Sequence, residues 1–117
     1  MSTFLMQEAL SWQSWTTILD GQMDPHPLSD PKVLAAGFEQ IGGTLSGLWL
    51  SAANAELVYI VELPDVVDAV ACSLRYVQRG QYGPIRITPL LTPQEAVRAI
   101  ERAVTLPKGY KVTGSDR

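Results

Sequence analysis

Few side chains in this sequence are able to do chemistry, and each stands almost alone. His26 is the only histidine and Cys72 the only cysteine. His26 lies between two prolines in residues 21–31, GQMDPHPLSDP, where an imidazole titrating near neutrality could serve as a general base at a pocket mouth. Asp24 and Asp30 are its neighbours, but Asp-Pro steps mark turns, so no metal is expected. Glu8 falls on the same strand face as Phe4 and Met6 by the two-residue period. Turned into an apolar interior, its carboxyl would be desolvated and usable as an acid or base; at the strand's end it would be solvated. Arg86 shares a face with Thr88, between Ile85 and Ile87. It suits an ion pair with Glu8 or Glu62, or a substrate carboxylate. Trp12, Trp15, Trp49 and Tyr59 are the large aromatics available for a flat ligand, or for ordinary packing. Cys72, beside Ala71 and Leu74, reads as a small buried hydrophobe. No glycine-rich phosphate loop or nucleophile elbow is present, so no cofactor is expected.

These groups must be positioned by elements that the patterning spells out. Residues 3–9 read as a strand. Ser11 caps a first helix to about residue 20, ended by Gly21, with Trp12, Trp15, Ile18 and Leu19 at helical spacing. Asp30 caps and Pro31 opens a second helix over 32–41, with Val33, Leu34, Phe38 and Ile41 as its buried stripe, and Gly42-Gly43 stops it. Residues 44–51 and 56–63 are apolar strands joined by a four-residue connection. Pro64-Asp65 opens a helix to about residue 79, with Val66, Val70, Leu74 and Val77 on one face and Val67 and Ala71 beside it. Residues 84–91 form the fourth strand, where Pro89 demands an edge or a bulge. Thr92-Pro93-Gln94-Glu95 is a complete capping box opening a helix through about residue 103, with Ala96, Val97, Ile100 and Val104 inward.

The predicted class is α+β: a ferredoxin-like βαββαβ order with an added C-terminal helix and a four-stranded antiparallel sheet. Residues 1–104 form one domain and 105–117 a polar arm. With 117 residues, 46% of them hydrophobic, the chain has a core of its own and is not disordered. No apolar run approaches the ~20 residues of a bilayer span, and no basic segment precedes a hydrophobic one at the N-terminus. A cytoplasmic protein without a membrane partner is expected. Residues 1–64 carry one base and seven acids, residues 65–117 eight bases and five acids. The bases Arg75/Arg79 and Arg98/Arg102 fall as helical i, i+4 pairs rather than as a stripe interleaved with aromatics, which argues against nucleic acid. Such pairs mark solvated helix faces; the functional reading of the asymmetry is self-association, acidic N-terminal surface meeting basic C-terminal surface. Leu48, Trp49 and Leu50 are consecutive, as are residues 57–61, so both faces of the sheet call for cover while the helices supply only one. A second copy, with sheets stacked face to face, meets that demand.

Three stretches resemble the GYD-domain family: Gly42-Gly43-Thr-Leu-Ser-Gly-Leu-Trp-Leu, Glu56-Leu-Val-Tyr-Ile-Val-Glu-Leu-Pro-Asp65 and Thr88-Pro-Leu-Leu-Thr-Pro-Gln-Glu-Ala-Val97. With residues 4–9 the likeness spans roughly 3–103. It implies a small bacterial protein with a dimeric α/β-barrel fold, and no assigned reaction. The family's Gly-x-Tyr-Asp signature falls on Ala53, Asn54, Ala55 and Glu56, so this chain resembles a divergent member. Two functions are weighed, beside a purely structural role that stays open. One is a homodimer that binds a small apolar or aromatic ligand or serves as an accessory protein. The other is a cofactor-independent isomerase, cyclase or monooxygenase, with Glu8 or His26 as acid/base, Arg86 holding the anion, and Trp12, Trp49 and Tyr59 lining the pocket.

Overall fold

A computed structural model describes residues 1–22, 26–79 and 82–109, leaving Asp24 and the end of the expected arm outside the described residues. The element order is β1 (Ser2–Leu10), α1 (Trp12–Leu19), α2 (Pro31–Glu39), β2 (Thr44–Leu50), β3 (Glu56–Leu63), α3 (Val66–Arg79), β4 (Tyr82–Leu90) and α4 (Pro93–Thr105). The four strands form one antiparallel sheet in the order β2-β3-β1-β4, an arrangement compatible with a ferredoxin-like fold. β4 is an edge strand, which is where Pro89 can sit without breaking a ladder.

Local chemistry sets the element ends. Ser11 caps α1 by accepting from the Ser14 N–H at 3.2 Å, and Asp30 caps α2 by accepting from the Lys32 N–H at 3.2 Å. α2 ends in a double turn: Gly42 takes φ +79°, its N–H bonds Glu39 O, and the Gly43 N–H bonds Phe38 O at 2.8 Å. Gly43 is also a close approach. A Cβ there would lie 2.6 Å from Leu63 Cδ2, 3.0 Å from Glu62 O and 3.1 Å from Phe38 O. Two of those atoms are backbone and cannot turn aside. Gly43→Ala is therefore expected to cost about 1–3 kcal/mol, the range of an overpacked site, read as a lower urea midpoint with unchanged slope.

The core lies between one sheet face and the helices. Phe4 and Met6 of β1, Leu57, Tyr59, Val61 and Leu63 of β3, Leu34 and Phe38 of α2, and Ala69 of α3 are buried together. A bulge in β2 between Leu45 and Gly47 keeps Leu45 and Leu48 both on this face, opposite Val61 and Tyr59. The opposite sheet face carries no helix among the described residues, yet holds Leu5, Val58, Ile60 and Trp49.

Three helical stripes differ from expectation. In α2 only Leu34 and Phe38 are buried, while Val33 and Ile41 are exposed, because the stripe that meets the sheet is narrower than the apolar pattern. α3 turns its small residues inward: Ala69 is buried and Cys72 packs against the core, whereas Val66, Val67, Val70 and Leu74 face outward. Small residues let the helix lie close to β3 and β4, and the bulky valine face is left over. Val77 lies outside the described side chains. α4 buries none of its residues, so Val97, Ile100 and Val104 are not inward but exposed.

Candidate functional site

Glu8 is fully buried on the helix-covered face of β1, between Leu57 of β3 and Ile85 of β4 in register. Its diagonal neighbour across the β1–β3 ladder is Tyr59, whose hydroxyl donates to Glu8 Oε2 at 3.3 Å. Phe38 of α2 closes over that tyrosine, ring centroids 5.8 Å apart and tilted 45°. Oε1 is buried and accepts no hydrogen bond among the described residues. One long O–H···O bond is a poor substitute for water around a carboxylate. Burial therefore raises the Glu8 pKa from 4.5 to about 7, against a smaller lowering by the Tyr59 bond. Of the two environments open to Glu8, the apolar interior is the one realised.

Arg86 sits on the other side of the sheet. It is opposite Gln7 in the β1–β4 ladder, one position out of phase with Glu8, so the two cannot meet. Its expected partners Glu8 and Glu62 are both replaced by Glu56, which accepts from Arg86 Nη2 at 2.7 Å. The same Glu56 Oε1 accepts from the Asn54 side-chain amide, and the Glu56 N–H donates to Asn54 Oδ1 at 3.4 Å. Glu56 thus anchors the arginine, and Asn54 holds Glu56. The arginine side chain remains 60% exposed, and a guanidinium has five donors, so Arg86 can hold Glu56 and still receive an external carboxylate.

Register places Trp49, Val58, Gln7 and Arg86 in one row across β2, β3, β1 and β4 on the uncovered face. At about 4.8 Å per strand the ends of that row are roughly 14 Å apart. Gly47, Ile60, Leu5 and Thr88 form the next row. Trp49, 54% exposed, lays its indole across Gly47, where a Cβ would run into the ring. The face is thus an apolar floor with a tryptophan at one side and an ion-paired arginine at the other.

The other expected site residues are placed apart from this floor. His26 is tied into its own turn: its N–H donates to Ser29 Oγ at 3.1 Å, and its Nδ1 and carbonyl accept from the Ser29 N–H at 3.3 and 3.0 Å. Asp30 is spent on capping α2. Among the described residues no three His, Cys, Asp or Glu side chains gather as a metal set. Trp12 is exposed at the start of α1, and Tyr59 lies on the opposite sheet face from Trp49, so the three aromatics do not line one cavity. Cys72 is half-buried, and burial, then the Asp68 carboxylate, push its thiol up. A separate open groove of about 360 Å³ runs between α2 and the edge strand β2, lined by Pro31, Lys32 and Ala35 and by residues 45–48.

Sequence reasoning missed Glu56 as the partner of Arg86, and Tyr59 as the partner of Glu8. Only strand register brings these pairs together. Among the described residues, no helix is long and apolar enough to cross a membrane. No protein-family model matches the chain, and no curated protein or solved structure matches it either.

Proposed function

We propose that the protein is a homodimer that binds a small, flat aromatic acid between two stacked sheets, with Trp49 as the stacking surface and Arg86 as the anion anchor. The observation that carries this reading is the cross-strand row Trp49–Val58–Gln7–Arg86 on a sheet face with no helix over it. Leu5, Val58 and Ile60 need cover that the chain does not supply to itself, and a second sheet about 10 Å away gives it. Ligand sites are mostly apolar with a few polar groups that fix orientation, which describes this floor and its arginine. The assembly is also the one that the resemblance to the GYD-domain family implies. The catalytic alternative needs Glu8 or His26 to share a chamber with Arg86. The sheet stands between Glu8 and Arg86, and His26 is held in its turn, so binding is the reading the geometry favours.

Sedimentation velocity at micromolar concentration, paired with native mass spectrometry of freshly purified protein, tests it. The expected result is a dimer that releases a small aromatic acid on denaturation, with Arg86→Ala leaving the dimer intact and emptying it. A monomer defeats the stacked-sheet reading. A dimer that holds nothing, and that no aromatic carboxylate stabilises in a thermal-shift screen, defeats the ligand reading.

A further inference from the structure

The helix-covered side of the sheet holds one unbalanced group beneath a lightly seated cover. Glu8 is sealed there, with Oε1 accepting no hydrogen bond among the described residues and Oε2 taking the 3.3 Å bond from Tyr59. A neutral carboxyl can stay in such a place, but a carboxylate needs water or donors that the closed packing does not supply. Among the described side chains no charge compensates it. α1 and β2 hold no charged residue, Lys32 and Glu39 of α2 and Arg75 of α3 are exposed, and Asp68 of α3 acts on Cys72. Glu56, Glu62 and Arg86 belong to the other sheet face. Tyr59 is the titratable group that faces Glu8, and it does so as a hydrogen-bond donor.

α2 is the part of the cover that is free to move. It is nine residues long, too short to persist as a helix by itself, and Gly37 in its second half weakens it further. Leu34 and Phe38 are its buried anchors. Phe38 rests on Tyr59, so the anchor and the Glu8 hydrogen bond share one side chain. The open groove of about 360 Å³ leaves the outer side of α2 unsealed against β2, and Gly42, at φ +79°, lies in the turn that joins the helix to that strand. α1 and α3 lack this freedom. A single residue, Ser11, links α1 to β1, and α3 packs on both β3 and β4.

We infer that α2 is a proton-controlled cover, which swings off the sheet about the Gly42-Gly43 turn when Glu8 ionises and lets water reach the carboxylate. The step moves one proton from the Glu8 carboxyl to solvent and makes or breaks no other covalent bond. Lifting Phe38 bares Tyr59 and opens a path for water to both carboxylate oxygens. Burial holds the Glu8 pKa at about 7 in the closed form against 4.5 when solvated, so the open fraction rises roughly tenfold between pH 6 and pH 8. The closed form remains the major one throughout. The device lies on the covered side of the sheet, so it stands apart from the dimer and its ligand.

Amide hydrogen exchange of the full chain at pH 6 and pH 8, corrected for the intrinsic pH dependence of exchange, tests it. The amides of α2 are expected to be less protected than those of β3 and insensitive to dilute urea, as a local opening is. Their protection falls roughly tenfold from pH 6 to pH 8. In Glu8→Gln that fall disappears, and Glu8→Met, which also removes the ionisable group, gives the same result and serves where the glutamine variant does not fold. Equal α2 protection at the two pH values overturns the inference. So does α2 exchanging together with β3, at the same protection and the same urea dependence, because proton loss then acts on the whole fold and lifts no cover. A tenfold fall that persists in both variants also overturns it, by assigning the pH effect to another group.

Discussion

Glu8→Gln is expected to remove a fall in stability that burial of this carboxyl imposes on the natural protein between about pH 4.5 and pH 7. The carboxyl holds its proton more tightly in the folded chain, where its pKa is raised from 4.5 to about 7, than in the unfolded chain. Below about pH 4.5 both states are protonated and the group is neutral in its effect. As the pH rises, the unfolded chain releases the proton first, and the folded state loses about 1.4 kcal/mol for each pH unit until its own carboxyl ionises near 7. Above that the loss is constant, at about 3 kcal/mol. Glutamine accepts the Tyr59 hydroxyl bond without a charge to desolvate, so it abolishes the slope. At pH 8 the variant melts on the order of 10 °C higher than the natural chain, and at pH 4.5 the two melt alike. Melting curves across pH 4–8 read this directly. A wild-type melting temperature that climbs from pH 5 to pH 7 with the slope of a normal buried ion pair would show that Glu8 is not the carboxyl described here.

The second large effect lies on the opposite sheet face. If the chain pairs as proposed, Ile60→Lys is expected to turn that dimer into a well-folded monomer. Ile60 projects from β3 into the uncovered face, one residue along from buried Tyr59 and Val61, so the substitution leaves the core untouched. In a two-fold stack each copy loses an apolar contact worth about 2 kcal/mol and gains an ammonium facing its symmetry mate. Two such losses raise the dissociation constant by roughly a thousandfold. Sedimentation reads the change of mass, and an unaltered far-ultraviolet spectrum checks the fold. Tyr59→Lys, one position away, unfolds the chain instead, because that side chain faces the core. A dimer that survives Ile60→Lys would mean that the sheets do not stack.

These outcomes divide along the line between what neighbouring residues decide and what packing decides. The capping box at Thr92–Glu95, the Ser11 and Asp30 caps, the Gly42-Gly43 stop and the limits of β3 were all legible in the sequence. Each depends on groups a few positions apart, whose geometry is set by backbone sterics and one or two hydrogen bonds. The double apolar character of β3 was legible too, since alternation of side chains about a strand needs only its own residues. The need to cover both sheet faces followed from that alone.

Which face met which neighbour was not legible. α3 has a bulky apolar face and a small one, and helical periodicity marks the bulky one as buried; close contact with β3 and β4 selected Ala69 and Cys72 instead. The stripe on α4 was readable, but not that the chain's own core leaves it uncovered. Glu8 and Arg86 both looked like members of one site, because each sits on a strand among aliphatic residues. A one-residue offset in register between β1 and β4 put them on opposite sides of the sheet, and the same register gave Arg86 to Glu56 and Glu8 to Tyr59. Residue types fixed the elements and their ends by short-range forces. Register and facing are cooperative choices of the whole packed chain, and they alone determined that one carboxylate is sealed inside while the arginine is left facing outward.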